Sequence, residues 1–155
     1  MKNILTMPWF NRQKSTSIQF MNVSVLIVDD SRTQLFAMEK MLKSAGIRTL
    51  TAENGKQGIL MARHKKPDLI LMDIVMPEIN GFQATRYLTK SPDTSHIPII
   101  IVSGSDQGSD RAWGMKLGAR DFMQKPVNKD ILLGKIRTLL MERPKVDIQQ
   151  EAIYA

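Results

Sequence analysis

Cysteine is absent from this 155-residue chain, which excludes disulfides, thiol nucleophiles and cysteine-ligated zinc. Histidine is scarce as well, since only His64 and His96 are present and their spacing fits no metal-ligand motif. No apolar run approaches the roughly 20 residues that a membrane-spanning helix needs. The apolar stretches near the amino terminus are short and interrupted by Pro8, unlike a secretory signal. We therefore expect a cytoplasmic protein without a membrane span.

Acidic residues are the minority, and the formal net charge is +7. The first 22 residues contain no acid and three cations, namely Lys2, Arg12 and Lys14. Trp9 and Phe10 lie among these cations, a combination compatible with a membrane surface or a protein partner. We predict that residues 1–22 form a disordered basic extension. Elsewhere the basic residues form no tight cluster along the sequence and no aromatic residues alternate with them, so we expect no nucleic-acid binding.

Five strand patterns alternate with five helical patterns between Val23 and Leu140. Strands are predicted at 23–28, 47–51, 68–72, 98–102 and 121–124. Helices are predicted after Ser31, Asn54, Asn80-Gly81 and Asn128, with the weakest one over 107–117. This alternation predicts an α/β fold, a flavodoxin-like (βα)5 doubly wound parallel sheet with strand order 2-1-3-4-5. The domain is predicted to cover 23–140, between the extension 1–22 and a carboxyl-terminal tail, 141–155.

Polar side chains follow four of these strands, each at the strand's carboxyl end. Asp29 and Asp30 follow the first strand, Asp73 the third, Ser103 the fourth and Lys125 the fifth. The carboxyl ends of parallel strands meet at one edge of the sheet, which is where such folds place their sites. We therefore expect these five groups to converge.

Three carboxylates at one edge require compensating positive charge. Two anions about 4 Å apart repel by roughly 4 kcal/mol at an effective dielectric near 20. Lys125 supplies one positive charge, and a hard divalent cation with oxygen ligands, Mg²⁺, supplies two more. A carboxylate beside such cations is a competent nucleophile toward a phosphoryl group. The product is an acyl phosphate, whose added charge can draw Ser103 inward and switch a neighbouring surface.

The stretch from Val23 to Leu140 resembles the CheY-like receiver domains of two-component response regulators. The resemblance rests on the order and spacing of these motifs: Val28-Asp29-Asp30-Ser31, Leu71-Met72-Asp73-Ile74-Val75-Met76-Pro77, Asn80-Gly81, Ile101-Val102-Ser103-Gly104, Gly118-Ala119 and Lys125-Pro126. It implies a Mg²⁺ cofactor and a histidine kinase that donates phosphate from a phosphohistidine. It also implies an output protein that binds the face formed by the fourth helix, fifth strand and fifth helix. The resemblance implies a signalling protein and not an enzyme, because its reactions are self-catalysed phosphotransfer and dephosphorylation.

The same resemblance implies a role for each carboxylate. Asp73 is implied to be the phosphoacceptor and a metal ligand. Asp30 is implied to bind Mg²⁺ directly and Asp29 to bind it through water. The backbone carbonyl of Val75 is implied as a further ligand.

The remaining implied roles concern the phosphoryl group and the switch. Ser103 and Lys125 would contact the phosphoryl oxygens, and the peptide bond after Lys125 is typically cis in this family. Phe122 would be the switch aromatic. The sequence departs from the commoner pattern in three places: Val75 is apolar, Phe122 lacks a tyrosine hydroxyl, and Ser-Gly at 103–104 replaces Thr-Ala. The departure at Val75 affects the lifetime of the phosphoryl group, and the departure at Phe122 affects the mode of switching. The Ser-Gly pair at 103–104 affects the access of phosphodonors.

A narrower resemblance is to the PilH-type regulators of type IV pilus twitching motility, which belong to a chemotaxis-like system. It rests on Asp73-Ile74-Val75-Met76-Pro77, Asn80-Gly81-Phe82-Gln83-Ala84-Thr85-Arg86, Trp113-Gly114 and Gly118-Ala119-Arg120-Asp121. No DNA-binding or enzymatic pattern follows Leu140, so we expect the output to be protein binding.

Three alternatives stay open from the sequence. The chain could be a phosphate sink that drains the kinase without an output partner. A phosphatase of the haloacid-dehalogenase type also uses an aspartyl phosphate, but it places the nucleophile after the first strand with Asp-x-Asp spacing. An FMN-binding flavodoxin would need a phosphate cradle after the first strand, where Asp29 and Asp30 would repel the phosphate.

Overall fold

In the computed structural model, residues 20–105 and 108–142 can be described. They form a parallel sheet of strands β1 (Ser24–Val28), β2 (Arg48–Ala52), β3 (Leu69–Asp73), β4 (Ile99–Ser103) and β5 (Asp121–Gln124). Five helices alternate with these strands: α1 (Arg32–Lys43), α2 (Gly55–Lys65), α3 (Gly81–Lys90), α4 (Gly108–Lys116) and α5 (Lys129–Met141). The strand order is β2-β1-β3-β4-β5, with every neighbouring pair parallel. The predicted doubly wound α/β fold is confirmed.

The central strands are buried on both faces. Every residue of β3 and β4 is buried, as their nearly continuous apolar sequences predict. Alternate side chains enter two separate cores: Val25 and Ile27 pack with α1 and α5, whereas Leu26 and Val28 pack with α2 and α3. Helices therefore cover both faces of the sheet, and its two ends carry the connecting loops.

Side-chain caps fix where four of the helices begin. Ser31, Asn54, Asn80 and Asn128 each accept a hydrogen bond from the backbone N–H three residues later, which satisfies an otherwise unpaired donor at the helix start. The Gln83 side chain in turn accepts a hydrogen bond from the Asn80 backbone N–H, completing a capping box. The predicted helix starts at these positions are confirmed.

The strand limits differ from the predicted ones by one residue. The first four strands each begin one residue later, at 24, 48, 69 and 99, and β2, β3 and β4 also end one residue later. Two of the later starts have a local reason. Asp68 accepts a hydrogen bond from the Ser24 backbone N–H through its side chain, and Pro98 has no N–H to give to a ladder. The fourth helix covers Gly108–Lys116, within the predicted 107–117.

The predicted segments outside the fold lie largely outside the described residues. Of the extension 1–22, only residues 20–22 are described, and Phe20 is buried in the core beneath α1 and α5. Of the tail 141–155, only residues 141 and 142 are described. None of the helices in the described ranges is long and apolar enough to cross a bilayer.

Candidate functional site

The sheet order brings the predicted polar groups to one edge. Asp29 and Asp30 follow the end of β1, Asp73 ends β3, Ser103 ends β4, and Lys125 follows β5. Strands β1, β3, β4 and β5 are consecutive neighbours in the sheet. The reversal of winding lies between β1 and β3, at the position where open α/β sheets bind their ligands. The first sequence prediction about the site, that the strand ends converge, therefore holds in the structure.

Three carboxylates lie together at this end of the sheet. Asp29, Asp30 and Asp73 each present one oxygen, and these three atoms lie within 4.8 Å of one another. Asp29 and Asp73 are buried, with 5% and 8% of their surfaces exposed, whereas Asp30 is exposed. The donors are all oxygens and one side of the cluster is open to water, which is the combination that suits Mg²⁺. The residues present therefore fit a hard divalent cation.

The Lys125 ammonium bridges two of these carboxylates. Its Nζ atom lies 3.0 Å from Asp29 Oδ2 and 3.1 Å from Asp73 Oδ1. The Lys125 N–H donates to the Ser103 carbonyl at 2.7 Å, which fixes the backbone that carries this side chain. The following bond to Pro126 is cis, as the resemblance implied. Lys125 therefore holds the ends of β1 and β3 together from the side of β5.

Asp29 is held on both of its carboxylate oxygens. Oδ2 accepts from Lys125, and Oδ1 accepts from the Ser31 backbone N–H at 2.9 Å. The Asp29 backbone N–H donates to the Ala52 carbonyl at 3.1 Å, which extends the β1–β2 pairing past the end of the strand. The buried carboxylate is thus fixed in position, while Asp30 beside it faces solvent.

The site has an excess of buried negative charge. Burial raises the pKa of Asp73, and the negative charge of Asp29 raises it further, while the Lys125 ammonium and the Ile74 backbone N–H lower it in part. Burial alone would lower the pKa of Lys125, but its bonds to Asp29 and Asp73 outweigh that effect and raise it. Lys125 therefore stays protonated, and one ammonium does not fully offset the carboxylates around it.

The loop after β3 positions Asp73 through a glycine. The Gly81 N–H donates to the Ile74 carbonyl at 2.8 Å, and a Cβ at position 81 would overlap the Asp73 backbone carbonyl. The start of α3 therefore presses directly on the backbone of the acidic residue. The residue roles inferred from the sequence did not include this contact, although the Asn80-Gly81 pair was its signal. Val75, in the same loop, has 79% of its surface exposed.

Ser103 and Phe122 lie on the β4–β5 side of the edge. Ser103 is 3% exposed, and its Oγ accepts from the Ser105 backbone N–H at 3.0 Å. It follows Val102, the register partner of Asp73, so Ser103 and Asp73 lie at adjacent strand ends. Phe122 is partly buried and packs against the core beneath α2 and α3. A contact role for Ser103 and a switch role for Phe122 stay predictions.

Most of the described part of the chain matches a known protein family. The family model described as the response regulator receiver domain matches residues 25–137. The chain belongs to the response regulator receiver family. The match covers β1 from its second residue, the other four strands in full and most of α5, and it includes every residue assigned to the site.

Two relatives of this receiver chain differ in how much of their own length it covers. It is 53% identical over 116 residues to "Protein PilH" of Pseudomonas aeruginosa PAO1, covering 75% of this chain and 96% of PilH. It is 33% identical over 127 residues to "Response regulator PleD" of Caulobacter vibrioides NA1000, covering 82% of this chain but only 28% of PleD. These matches confirm the receiver resemblance and the PilH-type resemblance.

A solved receiver structure bears on the metal. The receiver domain of sensor histidine kinase PA1611 from Pseudomonas aeruginosa PAO1 matches with a TM-score of 0.72 and 27% identity, covering 77% of this chain and 98% of that one. That protein carries a magnesium ion coordinated in its active-site cleft. The receiver domain described here has an oxygen-only acidic cluster at its own strand ends.

Proposed function

We propose that this receiver domain accepts a phosphoryl group on Asp73 from the phosphohistidine of a histidine kinase and thereby switches a protein-binding surface. The observation that carries the proposal is the position of Asp73: it ends the central strand β3, lies 3.1 Å from the Lys125 ammonium, and shares a cluster with Asp29 and Asp30. This arrangement places a carboxylate nucleophile beside one ammonium and within a cluster whose oxygens could hold the metal cation that phosphoryl transfer also uses.

In the proposed transfer, a carboxylate oxygen of Asp73 forms a bond to phosphorus while the phosphorus–nitrogen bond of the phosphohistidine breaks. The imidazole leaves and takes a proton from solvent. Asp29, Asp30, Asp73 and the Val75 carbonyl would hold Mg²⁺, which when bound neutralises negative charge on the transferring group. Lys125 shifts its ammonium from the free carboxylate to a phosphoryl oxygen, and the Ser103 hydroxyl donates to another.

The output follows from the new charge at the edge. An acyl phosphate adds negative charge and strong acceptors beside the β4–α4 loop. A hydrogen bond from Ser103 would draw that loop toward Asp73, and Phe122 would repack in response. Because Phe122 has no hydroxyl, the change is one of packing alone. The surface formed by α4, β5 and α5 would then differ between the two states, and an output protein would bind one of them.

The biological setting is proposed from the relatives. A 53% identity to PilH across 96% of that protein supports a role in chemotaxis-like control of type IV pilus twitching motility. The same near-complete match supports a receiver that acts by binding proteins. A P. aeruginosa strain lacking PilH offers a test, since this chain should restore its twitching zone and the Asp73→Asn variant should not. Equal zones with both forms would contradict a phosphorylation-dependent role.

The chemistry itself is tested by intact mass. Incubation with acetyl phosphate and Mg²⁺ should add one phosphoryl group, and chelation of the metal should prevent the addition. Asp73→Asn should show no adduct. Asp121→Asn is the matched control, because Asp121 is partly buried and, like Asp73, is paired with a lysine, in this case Lys135 at 2.9 Å. Full phosphorylation of Asp73→Asn would overturn the assignment.

A further inference from the structure

The end of the sheet opposite Asp73 is rich in cations. Each helix runs antiparallel to the strands, so the last turns of the helices lie at the strands' amino ends. Cations occupy the last turns of the first four helices, namely Lys40, Lys43, Arg63, Lys65, Lys90 and Lys116. A cation there stabilises the helix terminus, but this reason does not apply to Arg48, which begins β2. The accumulation of charge therefore calls for a second explanation.

The cations are densest beside the edge strand β2. Lys43, Arg48 and Lys65 line a groove of about 580 Å³, together with Ile47 and Leu50; we name this region the β2 corner. All three cations are exposed. Lys43 pairs with Glu39 at 2.9 Å and Arg48 donates to the Asn22 carbonyl at 3.3 Å, so their side chains are held at the groove.

The surroundings of the β2 corner leave it positive. Three more cations lie in the neighbouring helix ends, namely Lys40, Arg63 and Lys66. The carboxylates in this region are Glu39, Asp68 and Asp93. Glu39 pairs with Lys43, Asp68 accepts from the Ser24 N–H and hydroxyl, and Asp93 lies 3.7 Å from Arg63. Six cations against three carboxylates give the region a clear positive excess, and a negatively charged partner fits it.

Apolar groups accompany these charges. Met21 is 68% exposed and directly precedes Asn22, whose carbonyl binds Arg48. Leu50, which is partly buried, lines the groove itself. Cations next to exposed apolar residues are typical of surfaces that lie on a lipid interface.

We propose that the β2 corner docks on the surface of an anionic phospholipid bilayer. Clustered lysines and arginines are attracted to anionic headgroups, and exposed apolar groups add contact at the boundary with the acyl chains. Single-stranded nucleic acid is a less suitable partner, because no aromatic side chain among the described residues lines the groove for base stacking. With the β2 corner on a membrane, the Asp73 edge faces away and stays open to a kinase. This proposal goes beyond the phosphoacceptor function and does not depend on it.

The test is co-sedimentation of the full chain with vesicles of phosphatidylglycerol and phosphatidylcholine, compared with phosphatidylcholine alone. Binding should require phosphatidylglycerol and weaken as salt rises. The double variant Arg48→Gln/Lys65→Gln should bind about 25-fold more weakly, at about fivefold for each cation lost near the surface. The matched control is Lys56→Gln/Lys129→Gln, which removes the same net charge at the opposite end of the sheet, near Asp73. Lys56 lies in the first turn of α2 and Lys129 in the first turn of α5. This control should bind within about twofold of the parent.

The outcomes separate the possible explanations. Binding at the parent level in Arg48→Lys/Lys65→Arg, which keeps both positive charges, would show that charge at these two positions determines vesicle binding. Equal losses in the two Gln pairs would overturn the proposal, because binding would then report total charge only. Absence of binding to phosphatidylglycerol vesicles would overturn it as well. Binding to duplex DNA that the Arg48→Gln/Lys65→Gln pair abolishes, without vesicle binding, would assign the corner to nucleic acid. Because all four substituted residues are exposed, we expect each variant to fold, and circular dichroism checks this.

Discussion

Replacing Lys125 with methionine isolates the charge balance of the acidic edge. The Lys125 ammonium lies 3.0 Å from Asp29 and 3.1 Å from Asp73, and the side chains of these carboxylates are 7% and 10% exposed. Methionine keeps much of the apolar stem but removes the charge. The variant leaves two buried carboxylates without their shared cation, so we expect it to be less stable than the parent.

The expected size follows from the geometry. At an effective dielectric near 20, each of the two contacts corresponds to about 5 kcal/mol of Coulomb attraction before the cost of desolvation is subtracted. Removing one partner of a fully buried ion pair costs about 3–5 kcal/mol. Lys125 has 22% of its side chain exposed, and Asp30 opens the cluster to water, so solvent screens part of the loss. We expect Lys125→Met to lower the free energy of unfolding by about 2 kcal/mol at pH 7 without divalent metal.

The deficit should depend on pH in one direction. Burial already raises the pKa of Asp73 above its unfolded value, and loss of Lys125 raises it further. A carboxyl with a raised pKa in the folded state binds its proton more tightly there than in the unfolded chain. Its favourable contribution is therefore present at low pH and is lost as pH rises through the folded pKa. The deficit of Lys125→Met should shrink as pH falls below neutrality.

Urea unfolding followed by circular dichroism measures the stability deficit of Lys125→Met at each pH, with and without Mg²⁺ at constant ionic strength. Bound metal stabilises the parent and the variant alike, so the deficit narrows only where Lys125→Met binds Mg²⁺ more tightly than the parent does. We expect tighter binding because the variant leaves the carboxylates without their ammonium, and each tenfold gain in affinity at saturating Mg²⁺ narrows the deficit by about 1.4 kcal/mol. Lys135→Met is the matched control: Lys135 pairs with a single carboxylate, Asp121, at 2.9 Å. It should lose less than about 1 kcal/mol and show no added response to metal. A Lys125→Met variant as stable as its parent at pH 7, or a deficit unchanged by pH and Mg²⁺, would show that the Lys125 charge does not stabilise the acidic cluster.

Three further predictions concern the scaffold. Gly81→Ala should lower the free energy of unfolding by about 2–3 kcal/mol and slow phosphorylation, because the added methyl group would overlap the Asp73 carbonyl. Urea unfolding measures the first effect and intact mass the second. A variant with unchanged stability and phosphorylation would contradict the close contact. Leu42→Ala should cost about 3 kcal/mol, since Leu42 is fully buried, while the extent of phosphorylation in conditions that keep it folded stays at the parent level. Arg32→Ala should change stability by less than about 0.5 kcal/mol in the same assay, because its pair with Glu53 is largely exposed.

The sequence predicts the fold well where burial is local and periodic. The apolar runs of β3 and β4 indicated strands covered on both faces, and the asparagines at 54, 80 and 128 marked helix starts that the structure bears out. The convergence of Asp29, Asp73 and Lys125 was also predictable, because parallel strands end at the same edge. The sequence pattern did not predict the exact first and last residue of each strand. The hydrogen bond from the Ser24 N–H to the Asp68 side chain, for example, forms only because the fold brings the two residues together.

Contacts between distant loops were beyond the sequence. The sequence predicted that Lys125 compensates the carboxylates, but it did not indicate which two of them the ammonium bridges. It also did not indicate that Gly81 lies directly against the Asp73 carbonyl. The β2 corner is a similar case, because Lys43, Arg48 and Lys65 are separated along the chain and the fold brings them to one groove. The absence of a tight basic cluster in the sequence therefore did not exclude one on the surface.

The central claim is that Asp73 is the phosphoacceptor, and locating the modified residue tests it most directly. The chain would be incubated with acetyl phosphate and Mg²⁺, treated with borohydride, which reduces an aspartyl phosphate to homoserine, and digested for mass spectrometry. We expect homoserine at position 73 and nowhere else, with none formed when the metal is chelated. Homoserine at Asp29 or Asp30, or an unmodified Asp73 in a chain that has gained a phosphoryl group, would contradict it.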